Sequence, residues 1–450
     1  LKIGYDLAED VQASEDGLTW QVKIRDDVRF TDGEPLTAED VAFTYNTLKD
    51  TSSVNDFTML KEAVAVDDTT VEFHMNRPYS IWPYTMAITG IVPEHAYGPD
   101  YGQKPIGSGR YILKQWDKGQ QVIFEANPDY YGEAPRMKKV TVLFMEEDAA
   151  YAAALSGQVD LAYTSAAYSD QTMDGFSLFS CETVDNRGFN LPAVPAGETD
   201  ENGVPIGNDF TSDVRVRLAI ILAIDRQAMI DHLLNGHGTI AYSVCDKMPW
   251  YSKDSEAAFD PQEAERLLDE AGWMMNESTG IREKDGQALS LKYTYDSGDA
   301  LNKSLATAVK SQLAAVGINV ETEGQEMMTW WQEGVAGNYD LIMWNTEQPY
   351  TCPYNYFVPM LSRSPHVPSL AGVEGSDEFL SLISEFRTTN DTDRVQEIIN
   401  QLLNFDNDNV IDLPLLYVKD MIVYNTDKVA GYDFSSTPMF FDVRLIQPAE

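Results

Sequence analysis

Cysteine is scarce in this 450-residue chain. The three cysteines, Cys181, Cys245 and Cys352, stand far apart, and none belongs to a C-x-x-C pair. This spacing argues against a zinc ribbon and against a thioredoxin-type redox site. Because three is an odd number, at least one thiol is either free or paired with another chain.

Positive charge is also scarce. The chain has 32 lysines and arginines against 72 acidic residues, and its formal net charge is −40. Such a charge argues against DNA, RNA or an anionic membrane surface as the partner. Two interpretations stay open: the acids favour a cationic ligand, or they form a solvated surface that keeps an exported protein soluble.

Long apolar runs and enzyme motifs are missing. No run approaches the ~20 apolar residues that a membrane-spanning helix needs, and no signal peptide is visible. The sequence contains no G-x-S-x-G, H-E-x-x-H, P-loop or Rossmann glycine set, so we expect no enzyme and no resident cofactor. The segment 406–412 begins like a calcium-binding loop but lacks its glycine, so we reject that site.

The composition predicts a folded protein with more than one core. Hydrophobic residues make up 43% of the chain and aromatic residues 11%, which is typical of globular proteins. A chain of this length exceeds what one hydrophobic core usually supports, so we expect two lobes or more.

The stretch from Pro105 to Asp160 carries the densest pattern. Glycine, asparagine and proline mark two turns, and β-branched or alanine-rich runs lie between them. The predicted elements are a turn at Ile106–Gly109, a strand at Arg110–Trp116, an aromatic turn at Asn127–Pro135, a buried strand at Val140–Phe144, a helix at Ala149–Leu155 and a strand at Val159–Tyr163.

This order of turns resembles the extracytoplasmic solute-binding proteins that feed peptide and nickel ABC importers, called family 5. That family has a G-[TS]-G-x-[YW] turn, an N-x-x-Y-[WY]-G turn and a helix that ends in G-x-[VI]-D. Two further segments are similar: L-T-W with D-G-E-P-L-T-A-E-D-V at 18–41, and D-V-R-V-R with A-I-D-R at 213–226. Segments around 281–287, 298–304 and 354–357 are most similar to the nickel-binding type.

The resemblance implies a two-lobed α/β fold of the periplasmic-binding-protein type, with a hinge and an inter-lobe cleft. Lobe I is expected at residues 1–188 plus 418–450, and lobe II at 189–417, with one crossing between lobes near 187–191. The sequence opens inside a pattern that follows the family's first strands. The resemblance therefore implies that a leader, a lipid-anchor cysteine and the first part of lobe I precede Leu1.

The expected ligand loop begins at Trp344, for which core packing is the alternative role. Peptide binders of the family carry an aspartate four residues before a proline, where it neutralises the ammonium group of the peptide. Here that position is Pro349, so only Glu347 could replace the aspartate. Nickel-type proteins carry a tyrosine and a histidine near the positions of Tyr350 and His366, and neutral imidazole suits nickel.

The resemblance gives a weaker match on the lobe I side. Nickel-type proteins use an arginine and a tryptophan there to hold carboxylates of a chelator. The matching positions have Ser53, Asp56 and Gly90, with Phe57 beside one of them. Arg110 could supply the missing cation, and a structural ion pair is the alternative role for it.

The resulting hypothesis is a monomeric solute receptor, periplasmic or lipid-anchored outside the cell membrane, that delivers its ligand to a membrane permease. A single histidine cannot fill a coordination sphere, so the metal would arrive as a nickel–chelator complex, with His366 as its protein ligand. A di- or oligopeptide is the alternative ligand. A sensing receptor without transport and an acid/base hydrolase are alternatives from other functional classes.

Overall fold

The computed structural model describes residues 4–52, 57–145, 147–164, 166–171, 174–200, 203–243, 245–247, 251, 257–345, 370, 372–389, 391–432 and 442–449. Within these ranges, no helix is both long and apolar enough to cross a membrane.

The N-terminal part forms an antiparallel sheet with strand order β1-β2-β4-β3, covered by two helices. Residues on β4 alternate between buried and half-buried, as expected for a strand with one face on a core. Thr37 and Asp40 form a capping box at the start of the first helix, where the Asp40 carboxylate accepts a hydrogen bond from the Thr37 amide at 3.0 Å. The elements are β1 (Ala8–Ala13), β2 (Thr19–Ile24), α1 (Ala38–Thr51), β3 (Leu60–Asp67), β4 (Thr70–Met75) and α2 (Trp82–Ala87).

A second antiparallel sheet follows, made of β5 (Tyr111–Asp117), β6 (Gln121–Ala126) and β7 (Lys139–Leu143). The strand predicted at Val140–Phe144 exists, but the expectation that it is buried was wrong. It lies at the edge of the sheet, and Phe144 is 47% exposed. A short apolar run does not reveal how many strands flank it.

The next helix and strand confirm the predicted order. Helix α3 (Glu147–Leu155) ends before Gly157, whose φ of 71° lets the chain turn, and β8 (Leu161–Thr164) follows.

A seven-stranded mixed sheet forms the centre of the molecule, with order β10-β17-β9-β16-β14-β15 and β8 paired to β17. Strands β14, β15 and β16 run parallel to one another, and helices α7 and α8 connect them. Such an alternation of strands and helices is typical of an α/β lobe with a largely parallel sheet. The elements are β9 (Phe176–Asn190), β10 (Gly238–Ile240), β14 (Ser290–Asp296), α7 (Ala300–Ala315), β15 (Asn319–Gln325), α8 (Met327–Val335), β16 (Leu341–Asn345) and β17 (Asp412–Asn425).

The remaining helices pack on the central sheet or with the N-terminal sheet, and the remaining short strands form small sheets of their own. One large buried cluster joins α4, α5, α6 and α7 to the sheet. A second buried cluster is continuous from the N-terminal sheet to α9 and α10. The remaining elements are α4 (Val214–Leu222), α5 (Arg226–Leu233), α6 (Pro261–Glu270), β11 (Met274–Asn276), β12 (Ile281–Lys284), β13 (Gln287–Ala288), α9 (Ser376–Phe386), α10 (Thr392–Asn409), β18 (Val429–Tyr432) and β19 (Ile446–Pro448).

Strands β9 and β17 are the two long strands that pair with each other through the middle of the molecule. Gly188 is required where they approach, because a Cβ atom there would lie 2.6 Å from the carbonyl oxygen of Leu413. The predicted lobe boundaries at 188 and 418 fall on these strands, and they stay predictions.

Arg217, in the D-V-R-V-R segment, has a structural role. Its guanidinium is buried and donates hydrogen bonds to the carbonyl oxygens of Thr211 at 2.8 Å, Ser212 at 3.1 Å and Asn409 at 2.5 and 2.8 Å. Burial lowers the pKa of Arg217 to about 10, which keeps it charged at neutral pH. Because Asn409 is the last residue of α10, this arginine ties α4 to the turn that precedes β17.

Replacing Arg217 by Met should therefore destabilise the protein strongly. The change leaves several buried carbonyl oxygens without donors, so we expect a loss of about 2–4 kcal/mol in the free energy of unfolding. Urea unfolding followed by circular dichroism measures this loss. The matched control is Arg215→Met, two residues away, whose exposed ion pair with Asp213 contributes at most about 1 kcal/mol. An equal loss in the free energy of unfolding for Arg217→Met and Arg215→Met would contradict the structural role of Arg217.

Candidate ligand-binding cleft

Half of the predicted ligand residues lie outside the described part of the chain. These are Glu347, Tyr350 and His366. Trp344 is the penultimate residue of β16, where its backbone pairs with Gly188, and its side chain is also outside the described structure. Ligand contact by these four residues stays a prediction.

The carboxyl ends of β14, β15 and β16 lie together at one edge of the central sheet. In open α/β sheets, ligands bind in the crevice outside the carboxyl ends of parallel strands. The turns after β14 and β15 are joined there, because Ser297 donates two hydrogen bonds to the carbonyl oxygen of Gln325 at 2.8 Å.

An ion cluster lies at this edge. The buried Arg187 of β9 donates to the Asp185 carboxylate at 2.5 Å and to the Asp299 carboxylate at 3.3 Å. Burial raises the pKa of the Asp185 carboxyl, although the adjacent Arg187 guanidinium opposes this. The Arg187 Nε atom is buried and has no hydrogen-bond partner among the described residues.

The role of this cluster was not predicted from the sequence. The one signal in the sequence is an arginine in a segment that forms a strand. The structure shows that the residues after it, from Gly188 to Asn190, are all buried. Arg187 and Asp299 are 112 positions apart, so no local pattern joins them. A buried arginine needs a carboxylate or carbonyl partner, but the sequence does not reveal which one.

Two acidic groups at this edge, one of them in the ion cluster, also cap helices. Asp299 caps α7 by accepting from the Leu301 amide at 2.8 Å. Glu326 caps α8, where it accepts from the Met328 amide at 3.1 Å. The edge therefore carries more negative than positive charge among the described residues.

Arg110 lies between the turn at Ile106–Gly109 and β5, one residue before the strand that was predicted to begin with it, and its described contacts are structural. It donates to the carbonyl oxygen of Glu133 at 2.7 Å, and its guanidinium lies over the Tyr130 ring at 4.7 Å. The adjacent Asn127 is buried and donates to the carbonyl oxygen of Gly109 at 3.0 Å. The turn at Ile106–Gly109 and the aromatic turn at Asn127–Pro135 thus form one unit. Contact between Arg110 and a ligand stays a prediction.

Phe57 belongs to an aromatic core. It is 3% exposed, and its ring packs edge-to-face against Tyr45 at 5.9 Å and Trp82 at 6.2 Å. In the described structure this ring stabilises the N-terminal sheet and α2. Contact between Phe57 and a ligand stays a prediction.

The rejected calcium loop corresponds to a buried pair of carboxyl groups. Asp406 lies in α10 and Asp412 opens β17, and the Asp412 amide donates to Asp406 Oδ1 at 3.3 Å. Burial, together with the Asp412 carboxylate, raises the pKa of Asp406 well above its usual value. Among the described residues, no group of three or more His, Cys, Asp and Glu side chains could hold a metal ion.

A cavity of about 480 Å³ lies elsewhere, between the N-terminal sheet and α2. Apolar and aromatic side chains dominate its lining, among them Trp20, Tyr45 and Phe73. Such a lining does not suit a metal chelate, which needs polar and charged partners.

Comparison with protein families gives one match over most of the chain. The model of the bacterial extracellular solute-binding proteins, family 5 Middle, matches residues 2–366. Protein XP55 of Streptomyces lividans is 36% identical over 330 residues, which cover 70% of this chain and 57% of that protein.

Two further relatives bind different ligands. The nickel-binding periplasmic protein of Escherichia coli K12 is 26% identical over 439 residues, covering 93% of this chain and 81% of that protein. The oligopeptide-binding protein AppA of Bacillus subtilis 168 is 30% identical over 343 residues, covering 72% and 61%. The chain thus spans less than two thirds of XP55 and of AppA.

Solved structures confirm the predicted fold class. NikA from Brucella suis, in complex with Fe(III)-EDTA, superposes with a TM-score of 0.90 at 25% identity, covering 100% of this chain and 92% of that one. NikZ from Campylobacter jejuni, in complex with Ni(L-His), superposes with a TM-score of 0.81 at 21% identity, covering 98% and 90%.

Replacing Asp406 by Asn tests the buried carboxyl pair. In the native protein, the folded state holds the Asp406 proton more strongly than the unfolded state does. The free energy of unfolding should therefore fall as the pH rises from about 4 through the raised pKa of the folded state. The Asp406→Asn variant should show a shallower fall of the free energy of unfolding. The side-chain carbonyl oxygen of asparagine can still accept the hydrogen bond from the Asp412 backbone amide, but asparagine does not ionise. Urea unfolding between about pH 4 and about pH 9 measures both slopes.

The exposed Asp408 in the same helix provides the control. Asp408→Asn should keep the native pH dependence, and its stability should change by no more than about 0.5 kcal/mol. If the free energy of unfolding of Asp406→Asn falls with pH as steeply as that of the native protein, ionisation of Asp406 is not the cause of the fall.

Proposed function

Because this chain belongs to the bacterial extracellular solute-binding proteins of family 5, we propose that it is the substrate-binding component of an ABC importer. It works outside the cytoplasm, either periplasmic or anchored by a lipid to the outer face of the cell membrane. A small solute binds between two lobes, and a membrane permease receives it from the closed form. Binding and closure, without catalysis, are the whole activity.

The proposed ligand is a chelated nickel ion. The observation that carries this choice is the extent of similarity: the nickel-binding relative aligns over 93% of this chain, whereas AppA aligns over 72%. The close superposition with NikA of Brucella suis, at a TM-score of 0.90, also supports it.

His366 would contribute its neutral imidazole to the metal, and the chelator would fill the remaining coordination positions. Tyr350 and Trp344 would line the ligand from lobe II. On the lobe I side, Phe57 would border the ligand, and Arg110 would supply a cation with the N–H groups that Glu133 does not use.

The charge distribution favours a chelate with little negative charge. Arg187 is already neutralised by two carboxylates, so Arg110 is the one cation that we assign to the chelator. The formal net charge of −40 would also slow the approach of an anion. A nickel–histidine complex fits these conditions better than a polycarboxylate chelate does.

A di- or oligopeptide is the second candidate ligand, favoured by the 30% identity to AppA. A peptide ammonium group would need a carboxylate inside the cleft. Glu347 would have to provide it, because Pro349 occupies the position where peptide binders of the family carry aspartate.

Isothermal titration calorimetry with Ni²⁺ and two equivalents of L-histidine tests the nickel proposal. We expect saturable binding to one site. His366→Ala should weaken that binding by at least about tenfold, because a metal ligand is lost. His232→Ala is the control, since His232 is exposed on α5 and should leave the affinity unchanged.

A panel of di- to nonapeptides completes the test. Tight peptide binding without a response to nickel–histidine would overturn the nickel assignment and favour the peptide receptor. Loss of affinity in both histidine variants would contradict the specific role of His366.

A further inference from the structure

The pairing of β9 with β17 is irregular at two places. On β17, Leu415 is an extra residue between the pairs Pro414–Gly188 and Leu416–Arg187. On β9, residues 183–185 together lie opposite Val418, between the pairs Tyr417–Asn186 and Lys419–Glu182. Such bulges interrupt the hydrogen-bond ladder and bend the strands.

Thr183 organises the second irregularity. Its buried hydroxyl donates to the carbonyl oxygen of Val418 at 2.5 Å and accepts from the Asp185 amide at 3.0 Å. One side chain thus replaces ladder bonds that the bulge removes.

The buried clusters that pack against the strand pair differ in part between the two sides of this bulge. Before it, Cys181 and Ile422 belong to a small buried cluster with β18 and β19. After it, Phe189 and Leu416 belong to the large cluster beneath α4–α7. The large cluster also reaches Met421, past the bulge, so the small cluster replaces it only on the face of the strand pair that carries Cys181 and Ile422.

The Arg187 cluster ties one side of the bulge to the large core. Asp185 is the last residue of the bulge, and its carboxylate binds Arg187 at 2.5 Å. Arg187 also binds Asp299, which caps α7 at the carboxyl edge of the sheet. A bend that separated these groups would leave buried charges without partners, which is costly.

The opposite side of the bulge is held more weakly. Glu182 binds Lys419 at 2.6 Å and Lys247 at 3.0 Å, but the glutamate side chain is 59% exposed. Solvent screens such pairs, and they can re-form after a small movement.

We propose that Arg187 is a positioning residue that confines the bend between the lobes to Thr183 and Val184. This inference rests on the proposed function. Residues 185–187 stay fixed to the carboxyl edge of the sheet, so each closure brings that edge to the same place. Without the cluster the bend spreads along β9, and the bound ligand is enclosed less precisely.

Asp299→Asn is the test variant, because Asn still caps α7 but loses its charge toward Arg187. Asp269→Asn is the matched control: it weakens another pair between an aspartate and a buried arginine, Arg282, at 2.5 Å and away from the crossing strands. Arg187→Lys is the second test variant, since lysine keeps the charge but cannot bridge two carboxylates with a fork.

Spin labels at Ser304→Cys and Ala430→Cys report the distance between the two cores. Both positions are exposed, one on α7 and one on β18. Cys352→Ser removes the third native thiol, while Cys181 and Cys245 are buried. Double electron–electron resonance then gives the distance distribution of the full chain with and without nickel–histidine.

For Asp299→Asn and Arg187→Lys we expect a ligand-free distribution roughly 1.5 times broader than that of the parent, because more bend angles are populated. We also expect nickel–histidine to dissociate about fivefold faster. Asp269→Asn should change neither quantity, although its thermal midpoint should fall as much as that of Asp299→Asn.

Distributions as narrow as the parent's in both test variants would overturn the inference, because a merely structural cluster changes the thermal midpoint alone. Should nickel–histidine fail to bind the parent, the proposed ligand is wrong, but the ligand-free distributions still decide the role of Arg187.

Discussion

The antiparallel pairing of β9 with β17 is the interaction on which the rest of the structure depends. These strands of 15 and 14 residues come from distant parts of the chain, and each extends from one buried core into another. Strands β8 and β10 add to β17, and β16 adds to β9, so strands from both ends of the molecule are built on this pair. The entropy cost of closing the long loop between them grows only slowly with length.

The acidic composition sets a second constraint, because the chain has few cationic side chains that can hold its elements together. Three buried arginines, Arg217, Arg226 and Arg282, donate mainly to backbone carbonyl oxygens. Arg217 binds the last carbonyl of α10, and Arg282 binds the carbonyl of Val316 just after α7. Helix carboxyl ends carry partial negative charge, so they help to stabilise a buried guanidinium, alone at Arg217 and together with the Asp269 carboxylate at Arg282. These arginines hold elements together while most carboxylates stay in water.

Local features of the fold could be predicted from the sequence, because each depends on a few neighbouring residues. The turn at Gly157, the cap formed by Thr37 and Asp40, and the helix before Gly317 all follow from backbone preferences and short hydrogen bonds. The exposure of β7 could not be predicted, since it depends on which strand lies beside it.

The candidate site was less accessible to sequence reasoning. Arg187 meets Asp299 only because β9 enters the central sheet beside β16, and no local pattern specifies that neighbour. Asp406 and Asp412 were considered as a calcium loop, but a helix end and a strand start bring their carboxyl groups together instead. Arg110 illustrates a third difficulty: the family pattern marks its position, while its role depends on the carbonyl of Glu133 and the ring of Tyr130.

The contrast between the two ion clusters on β9 bears on the bend that we propose, because the strand pair then has to be stable as well as able to bend. A receptor that opens and closes needs states that differ by only a few kcal/mol. Exposed pairs such as Glu182 with Lys419 are worth at most about 1 kcal/mol, so rearranging them keeps the states close in energy. Breaking the buried Asp185–Arg187 pair would cost several times more. The proposed bend therefore requires the least free energy between these clusters, where the Thr183 hydroxyl already takes the place of regular ladder bonds.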